Sequence, residues 1–405
     1  MHFNGKRILL GVSGGIACYK AVELARRLVT AGAQVKVVMT KGAQEFVTPL
    51  TFAAITGQTV GTGLFGPGIH PLEHIWLGQQ VDAIILAPAT ANLIGKFAAG
   101  IGDDLLTTIL LAATRPVLLC PAMNCEMYAN PVVQENLARL QQRGVQVLPP
   151  GAGPLACGAV GYGRLPEVED MLAALSRLVR PQDLAGRHLL VTAGPTHEDL
   201  DPVRFLTNRS SGKMGYALAR AAWRRGARVT LVSGPTALPD PYGVEVVRVR
   251  SALDLLGALW ERFPQADALL MAAAVSDYRP ESLAAQKMKR GPQAQQINLV
   301  QNPDLLKELA KLKTHQVLVG FAAETGDLLA EGRRKLREKN LDLIVANEVN
   351  RPDSGFAVDT NEVTLIPREG EPLALPLMSK EEVAERLLDW LVDYWGAGPG
   401  EQGGE

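Results

Sequence analysis

Cysteine is scarce in this chain: Cys18, Cys120, Cys125 and Cys157 are all there are in 405 residues. No two of them form a C-x-x-C pair and no secretory leader precedes the first strand-like segment, so reduced cytosolic thiols are expected rather than a disulfide framework or a zinc ribbon. Net charge is also lacking, with 41 Lys and Arg against 42 Asp and Glu. Residues 1–180 hold 14 basic and 11 acidic side chains and the remainder 27 and 31, a split too mild to imply a nucleic acid or another polyanion as partner. No apolar run reaches the roughly 20 residues that a membrane helix needs. One of the longest, "AIILAPATANLIGKFAAG", is broken by Pro88, Asn92 and Lys96, and a soluble, cytoplasmic protein is the expectation.

A dinucleotide fingerprint is missing too. Two glycine-bearing loops follow strand-like segments, "GVSGG" and "SSGKMG", and neither reads G-x-G-x-x-G. The next strands end "VVMT" and "LVSGP", with hydroxyls where a ribose-binding acid would stand. That disfavours a nicotinamide-dependent dehydrogenase and suits a phosphate monoester or mononucleotide better. A Walker loop is excluded because Met214 follows Gly212 and Lys213. What remains is the affinity of helix-start N–H groups for anions, with a purely structural tight turn as the alternative.

What is present is a cadence used twice. "GKRILLGVSGG" gives a strand and a turn, "ACYKAVELARRLVTAG" an amphipathic helix with a Gly stop, and "AQVKVVMT" a second strand. "GRHLLVTAGPT", "GYALARAAWRRG" and "ARVTLVSGP" repeat it, so that Leu24, Ala25, Arg26 and Gly32 match Leu218, Ala219, Arg220 and Gly226. "VDAIILAPAT", "RPVLLCPAMN", "ADALLMAAAVSDY", "QVLVGFAAET" and "LDLIVANEV" continue the alternation. Such a pattern predicts an α/β fold: parallel strands joined by right-handed crossovers, with ligands beyond the strands' carboxyl ends. The boundary is expected near "LVRPQDLAGR", giving domains 1–182 and 183–396 and a disordered tail 397–405.

Ser13 in "GVSGG", Thr40, His74 in "EHIWLG", "APATAN", "PAMNCEMY" and "ACG" together resemble the flavin-dependent cysteine decarboxylases. "TAGPTHEDLDPVRFLTNRSSGKMG", "AAAVSDYRP", "KMK", "NPDLL", "GFAAET" and "KLREKN" resemble the ligase half of the bifunctional phosphopantothenoylcysteine decarboxylase/phosphopantothenate-cysteine ligases of coenzyme A synthesis. The resemblance spans nearly the whole chain. It implies a flavodoxin-like/Rossmann-type three-layer decarboxylase domain followed by a Rossmann-like ligase domain.

For the first half the resemblance implies bound FMN, with Ser13, Thr40 and the turn Ala87, Pro88, Ala89 and Thr90 near its phosphate and ring. His74 would stand beside the reacting thiol, Asn124 would hold the substrate carboxylate, and Cys157 would supply a proton. The flavin is needed because loss of CO2 from an ordinary amino-acid carboxylate leaves an unstabilised carbanion. Oxidising CH2–SH to a thioaldehyde creates an electron sink, and hydride is returned after CO2 leaves. A thiol of ordinary pKa, about 8.5, is mostly protonated near neutrality and suits an acid. For the second half the resemblance implies that CTP and Mg2+ convert 4'-phosphopantothenate to an acyl-cytidylate, which cysteine then opens. Lys287, Lys335 and Lys339 match triphosphate-binding lysines; Met271, Ala272, Ala273, Asp277, Pro303, Asp304, Leu305, Leu306 and Phe321 match the nucleotide pocket. Asn208 matches the residue assigned to the acyl-cytidylate, and Ser210, Ser211, Gly212 and Lys213 form a candidate nest for the substrate phosphate. A homo-oligomer is implied: trimeric decarboxylase and dimeric ligase halves, with a dodecamer as the hypothesis.

Two departures from the family pattern are mild: Tyr128 fills the aromatic place after "PAMNCEM", and Arg290 replaces a lysine after "KMK" while keeping its charge. Blander readings stand beside these roles. His70 and His74 at i,i+4 could be surface imidazoles or a metal pair lacking a third ligand, Asn124 a helix cap, Cys157 a small core residue, and "EGRRKLREKN" a solvated helix face.

Overall fold

The structure, a computed structural model, describes residues 3–66, 69–154, 158, 160–289, 296–324, 328–348 and 358–396. The chain divides into two compact units, Met1–Arg180 and Pro181–Glu405. The expected tail 397–405 lies outside the described residues.

The first unit is built on five parallel strands, β1 (Arg7–Val12), β2 (Gln34–Met39), β3 (Ala83–Ala89), β4 (Val117–Pro121) and β5 (Gln146–Val147), in the order 2-1-3-4-5. Each crossover is helical, as parallel neighbours require. The first helix, Cys18–Thr30, shows why these segments pack as they do: Cys18, Ala21, Leu24, Ala25 and Leu28 are buried at helical spacing while Arg26 and Glu23 pair in solvent. β3 is buried along its whole length, as a strand covered on both faces must be. Its Ile84 and Leu86 join Leu93, Ile94, Leu106 and Ile109 in one core cluster. An antiparallel hairpin, β6 (Gly151–Pro154) with β7 (Val160–Arg164), follows the sheet.

The second unit carries β8 (His188–Ala193), a small pair β9 (His197–Asp199) and β10 (Phe205–Thr207), then β11 (Arg228–Ser233), β12 (Glu245–Arg248) and β13 (Ala268–Met271). A second small pair, β14 (Tyr278–Pro280) and β15 (Leu299–Gln301), precedes β16 (Val317–Glu324), β17 (Leu343–Glu348), β18 (Thr360–Pro367) and β19 (Leu373–Ser379). The main sheet runs β12-β11-β8-β13-β16-β17-β18-β19. Its six parallel strands therefore follow the 3-2-1-4-5-6 order, and two antiparallel strands extend the edge. Gly215 sits where the helix Lys213–Arg224 crosses β8: a Cβ there would lie 2.4 Å from the Thr192 carbonyl oxygen, so only glycine lets helix and strand approach this closely.

The nine expected parallel strands are all formed, which bears out the α/β reading. The antiparallel extension was not foreseen. β18 alternates, burying Val363 and Leu365 against the final helix Lys380–Gly396, and β19 returns antiparallel to it after the short connection 368–372.

At the amino end of β8, far along the strand from its carboxyl end, His188 is 8% exposed. Its Nδ1 lies 2.8 Å from an Arg228 guanidinium nitrogen and 3.1 Å from the Gln265 carbonyl oxygen, and its Nε2 lies 3.0 Å from Thr230 Oγ1, whose hydroxyl donates to Glu245. Burial lowers the imidazole pKa, and the Arg228 guanidinium adds to this. The unfolded chain therefore binds the proton more readily, so His188 contributes stability that is present above about pH 6.5 and is lost as pH falls toward the lowered folded value. Thermal denaturation followed from about pH 7.5 to about pH 5.5 is expected to show this acid-side loss, and His188→Gln to flatten it.

Candidate active sites

In an open parallel sheet the crevice lies where strand order reverses, beyond the carboxyl ends of the flanking strands. In the first unit that point falls between β1 and β3, and a cavity of 1120 Å³ opens there. Ser13, the residue after β1, ties the two strand ends together: its buried Oγ donates to the Pro88 carbonyl (2.8 Å), meets Thr90 Oγ1 (3.1 Å) and accepts the Thr90 N–H (2.9 Å). Thr90 is drawn into this clamp and does not cap the helix Ala91–Ala99 that it precedes. The helix Cys18–Thr30 likewise starts without a side-chain cap. Two helix starts thus present backbone donors toward one cavity, a natural anion site. Thr40 closes a third side by accepting the Ala43 N–H (3.3 Å). Gly14 permits the closeness: a Cβ there would stand 2.5 Å from the Gly42 carbonyl carbon.

Asn124, also in the cavity wall, accepts the Glu126 N–H (2.8 Å) as a helix cap, so the blander reading of this residue describes part of its work. The loop is held from behind, because the Met123 N–H donates to the Gly163 carbonyl of β7 (3.0 Å). The hairpin arms contribute Pro154, Gly163 and Arg164 to the wall. Cys157, on the segment between them, lies outside the described residues. The remaining cysteines differ from an accessible acid: burial pushes the Cys18 and Cys120 thiols well up, and Cys125 is half-buried.

His74 is not brought to this cavity within one chain. It is half-buried on the helix Glu73–Gln79. His70 stacks on Trp76 with ring centroids 4.1 Å apart and accepts the Leu72 N–H at Nδ1 (3.1 Å), contacts that order the turn ahead of this helix. Among the described residues no group of three His, Cys, Asp or Glu converges as a metal site.

The second unit reverses its order between β8 and β13, and a smaller cavity of 330 Å³ lies there. It gathers Asn208, Ser210, Ser211, Gly212 and Lys213 on one side and Ala272, Ala273, Asp277 and Phe321 on the other. Gly212, in the left-handed conformation at φ 77°, starts the helix Lys213–Arg224 without a side-chain cap. Asn208 Nδ2 donates to the Val275 carbonyl (2.9 Å), fixing the amide against the loop beyond β13. Lys213 pairs with Asp359 (2.7 Å).

The other expected nucleotide residues are not in this wall. Met271 is 6% exposed and its sulfur accepts from Thr192 (3.4 Å), while Leu305 and Leu306 are core residues. Asp304 caps the helix Leu305–Ala310 and pairs with Lys339 (2.9 Å), so two expected residues meet there, and Lys335 lies on the adjoining helix Leu328–Glu338. Pro303 is joined to the Asp277 loop through Asn302, whose N–H donates to the Asp277 carbonyl (2.8 Å) and whose Nδ2 donates to the Ser276 carbonyl (2.8 Å). Lys287 is exposed, but its neighbour Met288 is pinned by Asp201, which accepts the Met288 N–H (3.1 Å) as well as those of Val203 and Arg204. Sequence reading passed over Asp201 and Asn302. An Asp three places before Arg-Phe and just ahead of Pro202, in "DPVRF", is an Asx-turn signal that could have marked the first.

The two halves match different family models. Residues 2–180 match the Flavoprotein family, and residues 184–394 match the DNA/pantothenate metabolism flavoprotein C-terminal domain. A coenzyme A biosynthesis bifunctional protein CoaBC of Vibrio parahaemolyticus is 48% identical over 389 residues, 95% of this chain and 97% of that one. Its Bacillus subtilis counterpart is 48% identical over 392 residues, 95% and 96% of the two chains. This chain belongs to the CoaBC family. It is a bifunctional enzyme of coenzyme A biosynthesis, with a flavoprotein decarboxylase half and a ligase half. A crystal structure of the C-terminal domain of a CoaBC protein is 43% identical, with a TM-score of 0.46, covering 53% of this chain and 98% of that one. No helix among the described residues is long and apolar enough to cross a membrane.

A flavin fits the first cavity on its own geometry: uncapped helix starts, a glycine cradle and volume to spare for a substrate arm. Gly14→Ala is expected to lower flavin content per purified chain by at least about tenfold while ligase activity persists; visible absorbance against protein concentration checks it. An unchanged yellow protein would place the cofactor elsewhere.

Proposed function

We propose that this CoaBC-family chain carries out two consecutive reactions. In the second unit the carboxylate of 4'-phosphopantothenate attacks the α-phosphorus of CTP and pyrophosphate leaves. The cysteine amine then attacks the acyl-cytidylate carbonyl, the amide bond replaces the acyl–phosphate bond, and CMP departs as the amine loses its proton. A carboxylate is too poor an electrophile to react otherwise. The observation that carries the reading is the position of Asn208, between an uncapped helix start suited to the substrate phosphate and the Ala272–Asp277 loop. Lys287, Lys335 and Lys339 would counter the triphosphate, and Mg2+ would enter with it, held mainly by phosphate oxygens and water.

In the first unit FMN, when bound, supplies a reversible two-electron oxidation of the substrate's CH2–SH carbon, which creates the sink that CO2 loss requires. The chain's own residues orient and protonate. Ser13, Thr40 and Ala87 to Thr90 form the phosphate and ring side, Asn124 holds the substrate carboxylate, and Cys157 returns a proton to carbon. His74 serves the thiol. Since His74 lies outside its own chain's cavity wall, we infer that a neighbouring copy provides it. Ile16 and Tyr19, 63% and 62% exposed in the same wall, form an apolar rim suited to such a neighbour. A trimer of decarboxylase halves and dimers of ligase halves would give a dodecamer, working in the cytoplasm. Mass photometry is expected to find it; monomers alone would remove this part.

The decisive assay mixes full-length protein with 4'-phosphopantothenate, cysteine, CTP and Mg2+, omitting each in turn while pyrophosphate, CO2 and 4'-phosphopantetheine are followed. Cys157→Ser is expected to slow CO2 release from added 4'-phosphopantothenoylcysteine by about 100-fold or more, with pyrophosphate release continuing. CTP that stays intact beside both acceptors, or decarboxylation untouched in the variant, would overturn the reading.

A further inference from the structure

The antiparallel edge of the second unit brings a polar side chain into the small cavity where the strand pattern calls for an apolar one. β18 reads "TNEVTLIP", and Asn361 shares the buried phase of Val363 and Leu365. Those two valine and leucine side chains join the hydrophobic core, whereas Asn361, 6% exposed, lines the cavity beside Ser210–Met214. Its Oδ1 is buried and has no hydrogen-bond partner among the described residues. The β18–β19 register shifts between Asn361 and Val363, the kind of irregularity that re-aims a side chain beside an active site. Ser176 Oγ, His197 Nδ1 and Arg224 Nε share this condition among the described residues, but of the four only Asn361 lines the small cavity. A buried carbonyl without a donor calls for an explanation, and a ligand that brings one is the simplest.

The surroundings say which part of a ligand that is. Lys380, buried at 6% exposure, lines the same cavity, and its N–H donates to the Asp359 carbonyl (2.9 Å). Asp359 in turn accepts from Lys213 at the helix start (2.7 Å). Asn361 thus stands two residues from the segment that joins both lysines, at the cationic end of a 330 Å³ space. A ligand entering with its phosphate at the uncapped helix start would present its nearest hydrogen-bond donor close by. In 4'-phosphopantothenate that donor is the secondary hydroxyl of the branched acid, which precedes the amide N–H along the arm.

We propose that Asn361 is a binding residue for 4'-phosphopantothenate, its side-chain carbonyl accepting the hydroxyl of the branched-acid portion. This rests on the ligase reading of the cavity. It gives the β18–β19 extension a purpose in substrate selection: an arm lacking the hydroxyl leaves the carbonyl buried and unpaired, and a site built around such a bond discriminates against the missing group.

The test uses full-length protein and CTP-dependent pyrophosphate release with cysteine. Wild-type turnover with 4'-phosphopantothenate is measured first; its absence would count against the ligase reading itself. Given turnover, a phosphorylated analogue without the hydroxyl is expected to show a KM about tenfold higher on the wild-type enzyme. Asn361→Leu, of similar volume, is expected to raise KM for the natural substrate about tenfold, leave KM for CTP within twofold, and bind natural substrate and analogue alike. A purely structural Asn361 would move stability and leave the two ligands as distinct as before. An analogue that the wild-type enzyme accepts at the natural KM overturns the proposal without any variant, as does an Asn361→Leu enzyme that still discriminates.

Discussion

A parallel sheet whose strand order reverses cannot cover the carboxyl ends of the two strands at the reversal. The crossover helices leave that point in opposite directions, and backbone groups of the following loops and helix starts are exposed there. Both halves of this chain depend on that constraint. In the first, β1 and β3 part and Ser13 holds their ends in register with two strong contacts to Pro88 and Thr90. In the second, β8 and β13 part and Asn208 is fixed to the loop beyond β13.

The same physics yields two different sites because the loops differ in length and anchoring. The first cavity is wide, 1120 Å³, and framed by the close approach of Gly14 and Gly42, which suits a planar cofactor with a substrate arm beside it. The second is narrow, 330 Å³, with a wall that mixes polar side chains such as Asn208, Ser210 and Asn361 with apolar ones such as Phe321 and Val345. An ester phosphate needs little more than uncapped N–H groups and a cation. An acyl transfer needs the reacting carboxylate held still, and that is where fixed amides matter.

Much of this precision is borrowed from buried polar groups behind the site. Asp201 satisfies three backbone N–H groups and so orders the loop bearing Lys287; Asn302 bridges the Asp277 loop and the Pro303 turn. Buried polar groups cost stability unless paired, and the Asn361 carbonyl, without a partner among the described residues, faces the cavity instead.

The sequence by itself determined the two α/β halves and the parallel strands, while the grouping of Asn208, Ala272, Ala273, Asp277 and Phe321 was implied only by the family resemblance. Periodicity and loop chemistry are local properties, and a strand-loop-helix unit has few ways to close. It offered Asn124 as a helix cap, which is formed, but it did not reveal that His74 stands apart from the cavity of its own chain or that Lys339 meets Asp304. Nor did it reveal β18, β19, Asn361 and Lys380 as part of a site. Those facts depend on which elements become neighbours once the chain is packed, as Lys213 and Asp359 do at a separation of 146. Only the packed sheet, by burying one face of its edge strands, decides which distant polar groups are left facing a common space.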